Sequence, residues 1–405
     1  MQEAQLFSMA LGLQEPWFVE HVHLTEFTDK KQELHIHISH TSGVRFAVEG
    51  ESCPVYDHVD RMWRHLDFFQ HECYIHARVP RVLTQAGHVL QVEVPWSYPG
   101  SSFTLLFEAL VRMLARNQMS MSAIGRYLNI GDRVATRIIT RAVYKALQQT
   151  PIPPPKLVGI DETSYQKGHQ YITLLTNIEN KQVVGIGFGK DGAAANQALA
   201  EMEFRGGCAS AIEAICMDMS PAYIAFADDR LPQADRVFDR FHIQLLLNKA
   251  VDQVRRQESK QATTLKHTRF LWLKKGTSLN AKSKTHLAYL AEIYPTLGEA
   301  YRLKELFADI WKPQHTQYVH IQLRNWLSIA LQSGIQPIQE FASMCQRHIA
   351  GLYTYFKYRI TNGIIENING TIQMLKRIAR GYRNPHHLKL MIYFHLGQLN
   401  LDTHN

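Results

Sequence analysis

The sequence predicts a multidomain α/β protein: a mixed β-sheet core interrupted by a helical insertion, preceded by a small β-containing domain and a helix-turn-helix-like domain. Three observations carry this expectation. Residues 17 to 95 hold short, alternating, β-branched segments, and from residue 103 to about 149 the apolar residues recur with a helical period. Beyond the proline-rich TPIPPP (150 to 155), three strand-like segments are followed by alternating helix and strand patterns. The 405 residues, 45% of them hydrophobic, exceed one ordinary core and are enough for two or three.

The first domain is placed at 1–97. Its strands include LHIHISH (34 to 40), CYIHARVPRV (73 to 82) and HVLQVEVPW (88 to 96), with Trp63, Leu66, Phe68 and Tyr74 expected to pack together. The second, 98–150, opens with Phe103, Phe107, Leu110 and Leu114 on one helical face. Within it, SMSAIGRYLNIGDRVATRIITRAV (120 to 143) reads as two helices broken at Asn129-Ile130-Gly131, with Asp132 capping the second. Arg133, Thr136, Arg137 and Arg141 beside Val134, Ile138 and Val143 suit a helix that reads the major groove, with Arg126 on the helix before it; a plain helical scaffold fits the same pattern.

TPIPPP cannot continue a helix and marks a boundary. The first part of the core, 151–258, runs as strands KLVGID, YITLLTNI and KQVVGIGFG, helix GAAANQALAEMEF, strand AIEAICMD, helix SPAYIAFADDRL, strand ADRVFD and helix FHIQLLLNKAVDQVRRQ. A helical, aromatic insertion follows at 259–358. Near its start KHTRFLWLKKG sets Phe270 and Trp272 among Lys266, Arg269, Lys274 and Lys275, a pattern that suits stacking on an unpaired base or, equally, burial of Trp272. The core resumes at 359–405.

Lysine and arginine total 44 against 36 acids, and the net charge of +8 favours a polyanionic partner, nucleic acid first. No apolar run reaches eighteen residues and the N-terminus lacks a basic signal-peptide region, so a cytoplasmic protein without a membrane partner is expected. Cysteines 53, 73, 208, 216 and 345 show no C-x-x-C spacing.

Two predicted strands run into acids: LVGI into Asp161 and AICM into Asp218, at the strand ends where α/β sheets place ligands. Each acid also fits a simple capping role. In TNGIIENINGTIQMLKRIARGYRN (361 to 384), Ile364, Ile368, Ile372 and Leu375 mark a core face, with Glu366, Asn369, Gln373, Arg377 and Arg380 on another. The helix dipole alone would favour Glu366 near the start and bases near the end. Together, however, Asp161, Asp218 and Glu366 form a set of hard oxygen ligands suited to Mg2+ or Mn2+. Two such ions, about 3.5–4 Å apart, activate water on one side of a phosphodiester and stabilise the leaving oxygen on the other. Lys376, Arg377, Arg380 and Arg383 would then hold the flanking phosphates. Glu162 would face away from Asp161. Asp239 and His242 are expected to support the site or cap a helix, and Asn362 and Asn369 to orient the acid or contact DNA.

The segments VGIDETSYQKGHQYITLLTN (158 to 177), MDMSPAYIAFADDRLPQADRVFDRFHI (217 to 243) and 361 to 384 resemble bacterial insertion-sequence transposases of the ISL-three type, in the DDE group. PVYDHVDRMWRHLDFFQHECYIHARVPRV (54 to 82) and VPWSYPGSSFTLLFEAL (94 to 110) extend the resemblance through most of the chain. It implies a ribonuclease-H-like core and a triad of Asp161, Asp218 and Glu366 using two Mg2+ or Mn2+ ions. It also implies cleavage at transposon ends, attack of the exposed 3′ hydroxyl on double-stranded target DNA, a homodimer that pairs the ends, and a place at the bacterial nucleoid.

One departure concerns zinc. That family often carries a cysteine zinc ribbon, but SGVRFAVEGESCPVYDH and VLTQAGHV leave Cys53 without thiolate partners, and histidines 58, 65, 71, 76 and 88 follow no zinc spacing. A structural zinc needs four ligands, so none is expected. A DNA-binding regulator derived from a transposase and a metal-dependent nuclease remain the alternatives.

Overall fold

The computed structural model describes residues 3–26, 32–166, 168–260, 262–312, 318–360 and 363–401. The chain divides into two compact units between Ala142 and Val143. The first begins with helix α1 (Glu3–Ala10) and strands β1 (Trp17–Glu26), β2 (Gln32–His40), β3 (Arg45–Val48), β4 (Glu51–Phe68), β5 (His71–Leu83) and β6 (Val89–Gln91). They form one sheet in the order β1-β2-β5-β4-β3, with β6 also on β5; β2 and β5 are parallel and the other pairs antiparallel. Alternation places Leu34, Ile36 and Ile38 of β2 and Cys73, Ile75 and Ala77 of β5 on one face, where they are buried with Trp17, Trp63 and Trp96. Of the expected aromatic cluster only Trp63 joins this core. Phe68 is exposed, and Tyr74 lies on the opposite face, its hydroxyl donating to Glu72, because it is one residue out of phase with Cys73 and Ile75.

Helices α2 (Leu105–Arg116), α3 (Met121–Tyr127) and α4 (Asp132–Gln149) follow, and the unit boundary falls inside α4. Thr104 caps α2 and Ser120 caps α3 through their hydroxyls, and Asp132 takes the amide of Arg133 at the start of α4. Asn129 adopts a positive φ of 52° in the break between α3 and α4, where the sequence placed it.

The second unit contains β7 (Leu157–Gln166), β8 (Gln170–Asn177), β9 (Gln182–Phe188), α5 (Gly192–Phe204), β10 (Ala214–Met217), α6 (Pro221–Arg230), β11 (Asp235–Phe238) and α7 (Arg240–Ser259). Its sheet has the order β11-β10-β7-β8-β9. β7, β8 and β9 form an antiparallel meander, and β10 and β11 run parallel to β7. The helices α8 (Arg269–Leu273), α9 (Ala281–Ile293), α10 (Pro295–Ile310), α11 (Val319–Gln332), α12 (Gln336–Arg347) and α13 (Ile349–Tyr358) make up the insertion. Trp272, Phe307, Trp326 and Phe341 are buried in its core, whereas Phe270 stays exposed. The chain then returns through α14 (Gly363–Ile378) and α15 (Pro385–Leu396).

The mixed sheet is thus covered on both faces. Ala195, Ala198 and Leu199 of α5 and Tyr223 and Phe226 of α6 share a cluster with Val158, Ile160 and Val184. On the other face Ile364 of α14 joins Leu157, Ala214, Cys216 and Val237. Burial on both sides explains why these strands read as continuous apolar runs rather than alternating ones.

Candidate active site

Asp161 does not end its strand, as the sequence suggested; it lies in the middle of β7, which continues to Gln166 paired with β8. It is the parallel neighbour that stops there. β10 pairs Cys216 with Gly159 and ends at Met217, so two further residues on each chain bring Asp218 level with Asp161. On the other side Met217 pairs with Phe238, and the amide of Asp239 still donates to the Met217 carbonyl, at 2.9 Å. One more step sets Asp239 level with Asp218. Alternation along each strand puts Asp161 with Gly159, Asp218 with Cys216 and Asp239 with Val237, all on the face covered by α14. Three adjacent parallel strands therefore present three carboxylates side by side.

Their surroundings concentrate negative charge. Burial pushes the Asp161 carboxyl up to about 6; the amide of Glu162, 2.9 Å from Oδ1, works against this, while the charges of Glu162 and Asp218 add to it. Asp218 Oδ1 accepts the Ser220 amide at 3.0 Å, the capping role the sequence allowed for. Asp239 is 1% exposed; it caps α7 and accepts from His242 Nδ1 at 2.8 Å. That bond raises the His242 pKa above its ordinary value, burial opposes the rise, and Asp239, Asp161 and Asp218 reinforce it.

α14 runs along β7 in step. Ile365 lies over Gly159, where an added Cβ would come within 2.2 Å of the Ile365 Cδ1. Asn369 donates its amide to Asp161 Oδ2 at 2.9 Å, and Gln373 donates to Thr163 Oγ1 at 2.8 Å. Steps of four helical residues rise about 6 Å and steps of two strand residues about 6.6 Å, so the two elements keep register over this length. Glu366 is exposed, one turn before Asn369 in the first turn of α14. Glu162 does point away, accepting from the Tyr223 hydroxyl at 3.0 Å.

The donor chemistry suits a divalent cation, although among the described residues no three of these acids bring ligand atoms within 4.8 Å of one another. It offers hard carboxylate oxygens in excess of nearby positive charge, and the Asn369 Oδ1 is a buried acceptor without a hydrogen-bond partner, aimed from a side chain already fixed on Asp161.

The basic residues are more divided. Arg377 and Arg383 are exposed, whereas Lys376 donates to the Ser164 carbonyl at 2.6 Å and to Gln373 Oε1 at 2.8 Å. Arg380 was expected on the helix face with Glu366; instead α14 ends at Ile378, Gly381 takes a φ of 96° and returns its amide to the Lys376 carbonyl, leaving Arg380 beyond the helix at a φ of 55°. In the first unit Arg126, Arg133 and Arg137 are exposed. Arg141 is not available in the same way: it pairs with the buried Glu108 and lies 5.5 Å from the Tyr98 ring centre. Asn362 lies outside the described residues.

Comparison with known proteins places this arrangement. A transposase family profile, the DDE domain of the ISL3 type, matches residues 158–392, more than half of the chain. The chain belongs to the ISL3 transposase family. The helix-turn-helix domain of that family matches residues 92–143 of the transposase, and a zinc finger of transposases of this kind matches 50–83. The transposase is 25% identical over 395 residues to the transposase for insertion sequence element IS1001 of Bordetella parapertussis, covering 95% of this chain and 96% of the relative. It is also 25% identical over 356 residues to the transposase for IS1557 of Mycobacterium tuberculosis, covering 80% and 79% respectively.

The zinc-finger match does not bring a thiolate site with it. Cys53 and Cys73 are both buried, and burial pushes the Cys73 thiol up to about 12. Cys73 pairs across the hairpin with His65, twelve residues along β4 from Cys53, or roughly 40 Å of extended strand. The two thiols cannot share an ion.

Proposed function

We propose that this transposase binds the ends of an insertion sequence, cuts their phosphodiester bonds and joins the 3′ hydroxyl ends to target DNA within a ribonuclease-H-like core. The observation that carries the reading is the level row of Asp161, Asp218 and Asp239 on three parallel strands, closed over by a helix that bears Glu366 and holds Asn369 on Asp161. The strand order β11-β10-β7-β8-β9, with an antiparallel meander first and parallel strands added on one side, supports that core. The division into domains at 97, 150, 258 and 358 is part of the same proposal.

Asp161, Asp218 and Glu366 hold the divalent ions, Mg2+ or Mn2+. Bound there, two such ions supply a nucleophile at neutral pH and charge stabilisation of the leaving oxygen. Asn369 fixes the rotamer of Asp161, and Asp239 fixes His242 beside the carboxylates. Arg377 and Arg383, with Lys376 and Arg380, hold the flanking phosphates; Arg126, Arg133 and Arg137 contact double-stranded end DNA. Pairing two ends makes a homodimer the working form.

The test uses labelled end DNA. Asp161→Asn, Asp218→Asn and Glu366→Gln should each lower cleavage at least a thousandfold while end binding by gel shift stays within about threefold. Equal cleavage by the three variants and the parent chain rejects the assignment. A pre-cut end with a free 3′ hydroxyl, if it yields no joined product, leaves hydrolysis alone.

A further inference from the structure

A second cluster of side chains with ligand chemistry lies far along the chain from these acids, on the outer face of the first unit's sheet. The sequence EHVHL (20 to 24) and LHIHIS (34 to 39) contains two His-x-His pairs. In a strand this spacing puts both imidazoles of a pair on the same face. The register then stacks the pairs: His21 is opposite His37 and His23 opposite His35 across β1 and β2, and His37 is opposite His76 across β2 and β5. Their backs are the buried Leu34, Ile36 and Ile38, so the histidines stand on the side away from the core.

The rings are in direct contact. His21 and His37 stack with centroids 4.1 Å apart, His37 and His76 at 4.7 Å, and His23 is 5.2 Å from both His35 and His37. Ligand nitrogens of His21, His23 and His37 all lie within 4.8 Å of one another. His37 Nε2 is buried and has no hydrogen-bond partner, although His21 and His23 beside it remain open to solvent. A buried, unpartnered ring nitrogen at the centre of such a group is costly unless something accepts its lone pair or proton.

We propose that His21, His23 and His37 form a binding site for one divalent transition-metal ion, Zn2+ or a metal of similar preference for imidazole, with His35 and His76 supporting it. Three neutral imidazoles and a water complete a tetrahedral site for zinc. Nitrogen donors select Zn2+, Co2+, Ni2+ and Cu2+ over Mg2+, so this site and the carboxylate row differ in the metal they take. His35 Nδ1 lies 2.8 Å from His76 Nε2, a contact that fixes both rings beside the site. An ion here would tie β1, the edge of the sheet, to β2. The site uses none of the cysteines and lies outside the 50–83 zinc-finger match except for His76.

The experiment uses the untagged full-length protein, stripped with chelator and then held in saturating Mg2+ to fill the carboxylate site. Titration with Co2+ should give a visible absorption band that saturates at one equivalent and is displaced by Zn2+. His37→Gln should weaken Co2+ binding at least tenfold, and His21→Gln and His23→Gln, at exposed positions where folding is not at stake, should do the same. His71→Gln, on a half-buried histidine elsewhere in the sheet, should leave it intact. Zn2+ should also raise the melting temperature of the parent chain and not that of His21→Gln. Co2+ binding that is absent, or that is equally strong in the parent and the three variants, overturns the proposal.

Discussion

At the scale of single residues, the distinction that matters is which polar groups are committed within the fold. Arg137 and Arg141 both read as bases of the same helix, yet only Arg137 is free to meet DNA. Arg137→Ala should change the urea midpoint little, within about 0.5 kcal/mol, and reduce the salt slope of end binding by about one. Arg141→Ala strands the buried Glu108 and should cost on the order of 3 kcal/mol, read from the same melts. His65 gives a pH test. Burial, and then the Arg64 guanidinium, push its pKa from 6.5 down to about 4. Between those values the unfolded chain binds the proton and the folded chain does not, so stability is complete above 6.5 and falls as pH drops towards 4. The slope contributed is at most about 1.4 kcal/mol per pH unit. His65→Gln should flatten that part of a urea-midpoint profile, and an unchanged profile would show that His65 is not its source.

At the scale of elements, the site depends on how closely α14 lies on β7. Gly159 allows it, since Ile365 occupies the space that a Cβ would need. Gly159→Ala should therefore lift the helix, destabilise the fold by about 1–3 kcal/mol and lower cleavage, and Ile365→Val in the same chain should recover part of both. Equal melts for the single and double variants would mean that the helix is not held at this point. Asn369→Ala removes the amide from Asp161 and should reduce cleavage by about 10–100-fold, with a higher Mg2+ requirement and little change in stability. The strands of this unit's sheet were legible because they are bounded by turns and buried on two faces, which gives long apolar runs, and the helices because their apolar residues recur with a helical period. The weaker reading was in the first unit: β4 carries nine polar or charged residues among its eighteen and owes its pairing to β5 rather than to its own pattern.

At the scale of the whole molecule, the chain combines a row of carboxylates, exposed bases on two separate units and an excess of positive charge. Chelation should abolish cleavage, Mg2+ or Mn2+ should restore it, and end binding, which rests on the bases, should persist throughout in a gel shift. Loss of end binding together with cleavage would instead make the metal part of DNA recognition. No helix among the described residues is long and apolar enough to cross a membrane.

The sequence by itself determined the succession of elements in the second unit, the break between α3 and α4, and the acids worth following, because strand runs, capping residues and helix periods are local properties. It placed Asp161 at a strand end, since an apolar run closed by an acid looks the same whether its own strand or the neighbouring one stops. Only the tertiary structure decided that Asp161, Asp218 and Asp239 share one level, that Asn369 reaches Asp161 across 208 residues, and that five histidines from three strands meet on one face. Those outcomes depend on strand order and register, which are set by pairing between distant segments and leave no mark on the spacing within any one of them.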